Sequence, residues 1–236
     1  MTPQDTVAFV TGASRGLGRH LVDALLARGA RRAYATARDV SAITAHERVV
    51  PVRLDLTDSR SIADAAARAG DVTLLINNAG TAAFAMPLEA DPQGVAREMS
   101  VNYAGTYAVI RAFVPVLERN GGGTIVNVLS LLSLASLPMM AGYSASKAAA
   151  HSLTQALRPV LAPRGIAVHG AYPAGIDTDM LAGLDLPKTA PRHVAEAILD
   201  GVAAGHEDVF PDPNSQQAAE VWLSDPKGLE RQLAGG

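Results

Sequence analysis

The stretch that decides the fold is Val7-Ala8-Phe9-Val10-Thr11-Gly12-Ala13-Ser14-Arg15-Gly16-Leu17-Gly18. Its first four residues are apolar and bounded by polar ones, which is typical of a buried strand in a parallel sheet. The helical spacing of Leu17, Leu21 and Leu25 follows at once and stops at Gly29. The stretch therefore predicts a strand, a glycine-rich turn and a helix in direct succession.

The turn between this strand and this helix has the composition of an anion-binding site. Gly12, Gly16 and Gly18 carry no Cβ that would keep the backbone away from a pyrophosphate. The free N–H groups and the dipole at the start of a helix attract that anion. The spacing Gly-x-x-x-Gly-x-Gly departs from the Gly-x-Gly-x-x-Gly fingerprint, and a plain tight turn is the alternative. The strand before the turn and the helix after it favour a dinucleotide site.

Strands and helices alternate along the rest of the chain. Further strands are expected at 33–36, 49–54, 72–76, 124–129, 166–171 and 208–210. Helices are expected at 58–69, 92–118, 142–162 and 191–204, with one more around Trp222. This alternation predicts a parallel sheet covered on both faces, with ligands at the carboxyl ends of the strands. We expect one domain over residues 1–236, with a short substrate segment at 176–190 and a tail at 211–236.

The end of the second strand indicates which dinucleotide binds. An acidic residue there would bind a ribose 2′-hydroxyl, whereas an arginine accommodates a 2′-phosphate. The strand ends in Thr36, and Arg38 lies just beyond it. Arg15 in the glycine turn could converge with Arg38 on one phosphate, because a guanidinium suits bidentate phosphate binding. NADP is favoured over NAD, although Asp39 could neutralise Arg38 and both arginines could be merely solvated.

A tyrosine and a lysine four residues apart open the helix at 142–162. Tyr143 and Lys147 project from one face of that helix. A neighbouring ammonium favours phenolate and lowers the pKa of a tyrosine, which would suit a general acid. Alone this spacing is weak evidence, because it also occurs on surface helices. Asn102 stands inside the tract 92–118, where a poor helix former marks a local irregularity or an accident.

Composition excludes several classes of function. The 236 residues include no cysteine, which excludes disulfides, thiolate catalysis and cysteine metal sites. The six histidines show no ligand spacing, so no metal is predicted. A net charge of -3 gives no sign of a nucleic-acid surface. No leader with a basic start and no apolar run of about 20 residues is seen, so we expect a cytoplasmic protein that does not enter membranes.

Five motifs, taken in order, resemble those of the short-chain dehydrogenase/reductase family: Thr11-Gly12-x-x-x-Gly16-x-Gly18, Asn77-Asn78-Ala79-Gly80, Asn102, Ser130 and Tyr143-x-x-x-Lys147. The match covers residues 5–210. The resemblance implies an α/β fold of the Rossmann type, a single domain with a doubly wound, mostly parallel seven-stranded sheet and helices on both faces.

The same resemblance implies a catalytic tetrad of Asn102, Ser130, Tyr143 and Lys147. Ser130 would bind the substrate oxygen, and Tyr143 would protonate it as hydride arrives. Lys147 would also hold the nicotinamide ribose, and Asn102 would perturb its helix and position a water that links the lysine to solvent.

The resemblance further implies a nicotinamide dinucleotide, for which Arg15 and Arg38 favour NADP(H), and a set of residues around it. Asp55 would meet the adenine edge, Asn78 the adenosine ribose, and Ile176 and Thr178 the nicotinamide amide. Ala174 stands where the family usually has glycine, which leaves the path of that loop open. The expected cofactor-binding residues are Gly12, Ser14, Arg15, Gly16, Leu17, Gly18, Arg38, Asp55, Leu56, Asn78, Ala79, Gly80, Tyr143, Lys147, Pro173, Ile176 and Thr178.

Mostly apolar residues are expected around the reacting carbonyl. They are Phe84, Leu131, Leu132, Leu137, Met140, Met180 and Leu181. Several of them could instead fill the core or a subunit interface. The segment from Thr178 to Pro191 is short, which predicts an open cleft, and Lys188 is the one cation expected near it.

We therefore expect an oxidoreductase that transfers hydride between NADP(H) and a hydrophobic ketone or secondary alcohol. One alternative is a catalytically idle dinucleotide-sensing protein on the same fold. Another is a reductase of C=N bonds or of sugars. Apolar faces on the helices 92–118 and 142–162 resemble the family's pairing surface, which implies a homodimer or homotetramer.

Overall fold

Seven parallel strands form one sheet in the computed structural model, which describes residues 6–235. The strands are β1 (Val7–Val10), β2 (Arg32–Ala37), β3 (Val49–Arg53), β4 (Leu74–Asn77), β5 (Gly123–Val128), β6 (Ile166–Ala171) and β7 (Asp208–Val209). Their order is β3-β2-β1-β4-β5-β6-β7, with every pairing parallel. The order reverses between β1 and β4, which is where open α/β sheets bind ligands.

Helices cover both faces of this sheet. They are α1 (Gly16–Ala27), α2 (Ser59–Arg68), α3 (Pro92–Glu98), α4 (Thr106–Arg119), α5 (Ala141–Leu161), α6 (Pro191–Ala203), α7 (Pro213–Ser224) and α8 (Pro226–Ala234). Strand side chains alternate between faces, so Ala8 and Val10 pack under α1 and α6, while Val7 and Phe9 pack under α2 and α4. The doubly wound α/β fold expected from the sequence is confirmed. Within residues 6–235, no helix combines the length and apolarity needed to cross a bilayer.

The tract expected to be one helix at 92–118 is interrupted. A π-helical segment, Met99–Gly105, lies between α3 and α4 and carries Asn102. The Asn102 amide accepts a hydrogen bond from Thr81 N and donates one to Thr81 O, both at 2.8 Å. The asparagine therefore marks a real irregularity, and its partner lies in the loop after β4.

Two helices replace the single helix expected around Trp222. Helix α7 ends at Ser224, and Pro226 occupies the first turn of α8, where its missing N–H costs no hydrogen bond. Leu229 of α8 is buried against Leu131 and the α7 residue Ala218. Helix α8 thus packs onto the segment that follows β5.

Candidate active site

A cavity of about 1000 Å³ opens at the carboxyl ends of the strands. It extends from the glycine turn after β1 to Ser130 after β5 and Tyr143 on α5. Every cofactor-binding residue expected from the sequence lines it, as do the expected substrate residues other than Phe84. Its volume lies at the upper end of ordinary ligand pockets, about 300–1000 Å³.

Hydrogen bonds join the glycine turn to the turn after β4. The Thr11 hydroxyl accepts from the backbone N–H groups of Asn78 and Ala79, each at 2.9 Å. The Asn78 amide donates back to the Thr11 carbonyl at 2.9 Å. Gly12 has φ +67°, and a Cβ there would lie 2.9 Å from the Cα of Ala79. Glycine is thus required at Gly12 by both backbone conformation and close approach.

The two arginines expected to bind a 2′-phosphate differ in their surroundings. The Arg15 guanidinium donates to Asp179 Oδ2 at 3.2 Å, with side chains 76% and 73% exposed. Arg38 has no salt-bridge partner among residues 6–235. Asp39, the residue that could have neutralised it, accepts a hydrogen bond from Ser41 N at 2.9 Å instead. Arg38 therefore lines the cavity without a salt-bridge partner among the described residues, and its charge acts on the Asp55 carboxylate, which also lines the cavity.

Tyr143 and Ser130 meet at the other end of the cavity. The Ser130 hydroxyl lies close enough to the Tyr143 phenol to lower its pKa, against the larger effect of burial, which raises it. The Ser130 hydroxyl also accepts a hydrogen bond from Leu132 N at 3.1 Å, which fixes it just after β5. Both residues line a part of the cavity whose neighbouring side chains are mostly apolar.

The expectation that the pKa of Tyr143 lies below its ordinary value is wrong in this structure. Burial is the largest influence on the pKa of Tyr143, which is raised to about 12. The Ser130 hydroxyl lowers this pKa, and the charge of Glu98 raises it further. The Lys147 ammonium lies 5.7 Å from the centre of the tyrosine ring. Removing the phenol from water disfavours phenolate, and this desolvation outweighs the favourable influences. Tyr143 therefore keeps its proton at neutral pH.

Lys147 is a buried residue of α5 whose ammonium lies at the end of β5. Its Nζ donates a hydrogen bond to the Val128 carbonyl oxygen at 2.7 Å. Burial lowers its pKa to about 8, because a low dielectric disfavours the charged form. The ammonium still predominates at neutral pH, and it is lost as the pH rises through about 8.

Asn102 lies behind the wall of the cavity. Its amide donates to the Ser146 hydroxyl at 2.9 Å, and that hydroxyl donates to the Tyr143 carbonyl oxygen at 2.7 Å. With its two bonds to Thr81, the asparagine joins the loop after β4 to the helix that carries Tyr143. Of the expected tetrad, Ser130, Tyr143 and Lys147 line the cavity, and Asn102 supports them from behind.

The short chain dehydrogenase family model matches residues 6–188. The chain belongs to the short-chain dehydrogenase family. A short chain dehydrogenase from Burkholderia cenocepacia, solved in complex with NADP, is 43% identical, covers 99% of both chains and has a TM-score of 0.94.

Curated relatives of this dehydrogenase act on different substrates. Carbonyl reductase (NADPH) 2 of Sus scrofa is 33% identical over 177 residues, which are 73% of this chain and 72% of that protein. Galactitol 2-dehydrogenase (L-tagatose-forming) of Cereibacter sphaeroides is 33% identical over 232 residues, which are 93% of this chain and 87% of that protein. The match to short chain dehydrogenase mpl6 of Monascus purpureus, 35% identical, spans 75% of this chain but 66% of that protein. Family membership makes the chain an oxidoreductase that uses a nicotinamide dinucleotide and a small-molecule substrate.

Two expectations about side chains near the cavity of the dehydrogenase are wrong. Phe84 is 40% exposed and does not line the cavity, and the next residue of its loop is bound to Met139 by a hydrogen bond from Ala85 N to Met139 O at 3.0 Å. Lys188 lies beside the cavity, since its Nζ donates to the carbonyl oxygen of the lining residue Leu181 at 3.0 Å. It is not the one cation there, because Arg97 of α3, which sequence reasoning missed, lines the cavity.

The loop after β6 accommodates Ala174 without strain. Non-glycine residues with positive φ are absent from the described chain, so Ala174 needs no left-handed conformation. Its N–H donates to Asp212 Oδ2 at 3.0 Å. Gly175 is required for a different reason: a Cβ there would lie 2.5 Å from the Pro187 carbonyl oxygen. The loop of the dehydrogenase therefore passes close to the segment that lies opposite it.

Glu98 is a buried carboxyl that the sequence reasoning missed. It is 3% exposed, and its Oε1 accepts a hydrogen bond from Ala83 N at 2.7 Å. Burial raises the pKa of this carboxyl. Its position four residues before Asn102 was a signal, because residues four apart share a helix face. Glu98 and Asn102 together fix the loop after β4 beside Tyr143.

Proposed function

We propose that this dehydrogenase reduces hydrophobic ketones, or oxidises the corresponding secondary alcohols, with NADP(H) as cofactor. The observation that carries the proposal is the cluster of Ser130, Tyr143 and Lys147 at an apolar end of the cavity. Reduction of a carbonyl builds negative charge on its oxygen, and two hydroxyl donors beside an ammonium stabilise that charge. The side chains around the cluster are Leu131, Leu132, Leu137, Met140, Met180 and Leu181.

The residues at the other end of the cavity fit NADP(H). The turn from Gly12 to Gly18 would hold the pyrophosphate, and Arg38, which forms no salt bridge within residues 6–235, would bind the 2′-phosphate. Arg15 can join it, because its exposed pair with Asp179 is worth only about 0–1 kcal/mol. The NADP-bound relative from Burkholderia cenocepacia supports this choice. When bound, the cofactor supplies the hydride, and the protein supplies orientation and electrostatics.

The proton for the substrate oxygen would come from the Tyr143 hydroxyl. Its raised pKa keeps it protonated at neutral pH, although it makes Tyr143 a weaker acid than the lowered pKa expected from the sequence would have done. Ser130 would donate a second hydrogen bond to the same oxygen. Once Tyr143 has given up its proton, the Ser130 hydroxyl and the Lys147 ammonium stabilise the phenolate that remains. Asn102 acts as a positioning residue through Ser146.

Ketone reduction should become slower as the pH rises through about 8. Burial lowers the pKa of Lys147 to about 8, so the ammonium that stabilises the developing negative charge is lost above that pH. Tyr143, whose pKa is raised to about 12, does not titrate in this range. The measurement is kcat/KM against pH, which reports groups of the free enzyme.

The matched variant for this profile is Lys147→Arg, whose guanidinium stays charged throughout the range. In that variant the residual activity should be independent of pH between about 7 and about 10. A decline with the same midpoint in both proteins would assign the titration to another group.

A screen of ketones against NADPH oxidation tests the proposed function. Aryl and long-chain aliphatic ketones should be reduced with a higher kcat/KM than ketoses, because the pocket offers mainly apolar side chains. Turnover of sugars or polyols alone would favour the sugar interpretation instead. Tight NADPH binding with no turnover of any carbonyl would favour the idle sensor, which the presence of Ser130, Tyr143 and Lys147 argues against.

The oligomeric state, the cellular location and the domain organisation stay predictions. Exposed apolar side chains on the neighbouring helices α4 and α5, Tyr107 and Val160, support pairing of subunits as a homodimer or homotetramer. Cytoplasmic location and a single domain over residues 1–236 remain as expected from the sequence.

A further inference from the structure

Helix α8 forms part of the wall of the substrate end of the cavity. Leu233, on the last turn of α8, lines the same cavity as Ser130 and Tyr143. Leu229 lies one turn earlier, is 1% exposed and packs in a cluster with Leu131. Residues four apart share a helix face, so Leu229 anchors the helix while Leu233 reaches the cavity.

Several contacts hold α8 against α7 and the segment after β5. Leu229 packs with Ala218 of α7. Leu233 itself packs against the same cluster, as do Val221 and Trp222 of α7. These contacts hold α8 against the substrate end of the cavity.

Leu233 also changes the shape expected for the substrate site. The short segment after Thr178 supplies Met180, Leu181 and Leu186 to the lining. Leu233 adds an apolar side chain from a different part of the chain, where sequence reasoning expected only a tail. The site therefore has an additional wall that the expected open cleft lacked.

We propose that Leu233 determines which ketone substituents the site accepts. The proposal rests on the proposed function, because it takes the ligand to be an apolar ketone. A leucine in the wall of a pocket contributes by apolar contact and by occupying volume. A smaller residue at this position should admit bulkier substituents, and a larger one should exclude them.

Steady-state kinetics of Leu233→Ala and Leu233→Trp test this with acetophenone and 2-acetylnaphthalene as substrates. The ratio of kcat/KM for the naphthyl ketone to that for acetophenone should rise at least threefold in Leu233→Ala and fall at least tenfold in Leu233→Trp. The matched controls are Leu223→Ala and Leu223→Trp, because Leu223 of α7 is 76% exposed and does not line the cavity. An unchanged ratio in both Leu233 variants, with thermal melts showing folded protein, would overturn the proposal.

Trp222 provides a readout that does not depend on turnover. It is the single tryptophan of the chain and packs against the cluster that holds Leu229. Titration of the NADP+ complex, which has no hydride to transfer, with 2-undecanone, an aliphatic ketone, should change Trp222 fluorescence to saturation. The apparent Kd should shift at least threefold in Leu233→Ala and stay unchanged in Leu223→Ala.

This second measurement separates the two proposals. Saturable binding that shifts with Leu233, without turnover of any ketone, would contradict the proposed function and leave the wall assignment standing. Turnover of ketones with a substrate selectivity and a ketone Kd that do not change in the Leu233 variants would support the proposed function and contradict the wall assignment.

Discussion

Replacement of Tyr143 by phenylalanine is expected to lower kcat for ketone reduction by about a thousandfold or more. The substitution removes the one hydroxyl that we expect to deliver a proton to the substrate oxygen and leaves the ring in place. Ser130 and Lys147 would still stabilise negative charge, so the variant should keep a small residual rate. Binding of NADPH should remain within about threefold of the original, because the glycine turn, Arg38 and Lys147 are unchanged.

The measurements are single-turnover reduction of a ketone and an NADPH titration by fluorescence. The matched control is Tyr172→Phe. Tyr172 is a buried tyrosine whose hydroxyl donates to Asp208 at 3.0 Å, and it does not line the cavity. Its removal should lower the free energy of unfolding and leave kcat nearly unchanged. Retained turnover in Tyr143→Phe would remove Tyr143 from the mechanism.

Local patterns in the sequence were sufficient for the elements that carry the site. The apolar run of β1, the glycine turn and the helical spacing of α1 are signals within a few neighbouring residues. Parallel strands end at one edge of the sheet, so the residues that follow them could be expected to meet. Ser130 and Lys147 accordingly line the same cavity.

Features that depend on packing between distant segments could not be predicted in the same way. Leu233 reaches the cavity because Leu229 docks α8 onto Leu131, a contact between segments that lie far apart in the chain. Arg97 enters the lining from an exposed position on α3, and no local pattern distinguishes it from a solvated arginine. The pKa of Tyr143 cannot be judged from helix spacing, which reveals a neighbouring charge but not the extent of burial.

Replacement of Arg38 by alanine is expected to weaken NADPH binding by about tenfold to a hundredfold, which corresponds to the loss of about 1.5–3 kcal/mol from a charge-assisted hydrogen bond. NADH lacks the 2′-phosphate, so its KM should change by less than about twofold. Arg38 is the stronger candidate of the two arginines because no carboxylate within residues 6–235 forms a salt bridge with it. Arg15→Ala should have a smaller effect, since the phosphate must compete with Asp179 for that guanidinium.

The control for the general loss of a positive charge is Arg192→Ala, which removes an exposed arginine on α6 that is paired with Glu196 and lies outside the cavity. Arg192→Ala should alter neither the KM for NADPH nor the KM for NADH. Asp179→Ala provides a test of opposite sign: freeing Arg15 should tighten NADPH binding and leave NADH unaffected, because only the 2′-phosphate can use the released guanidinium. An equal effect of Arg38→Ala on both cofactors would contradict the assignment of the 2′-phosphate. It would instead indicate that Arg38 contacts a part of the dinucleotide that NAD and NADP share.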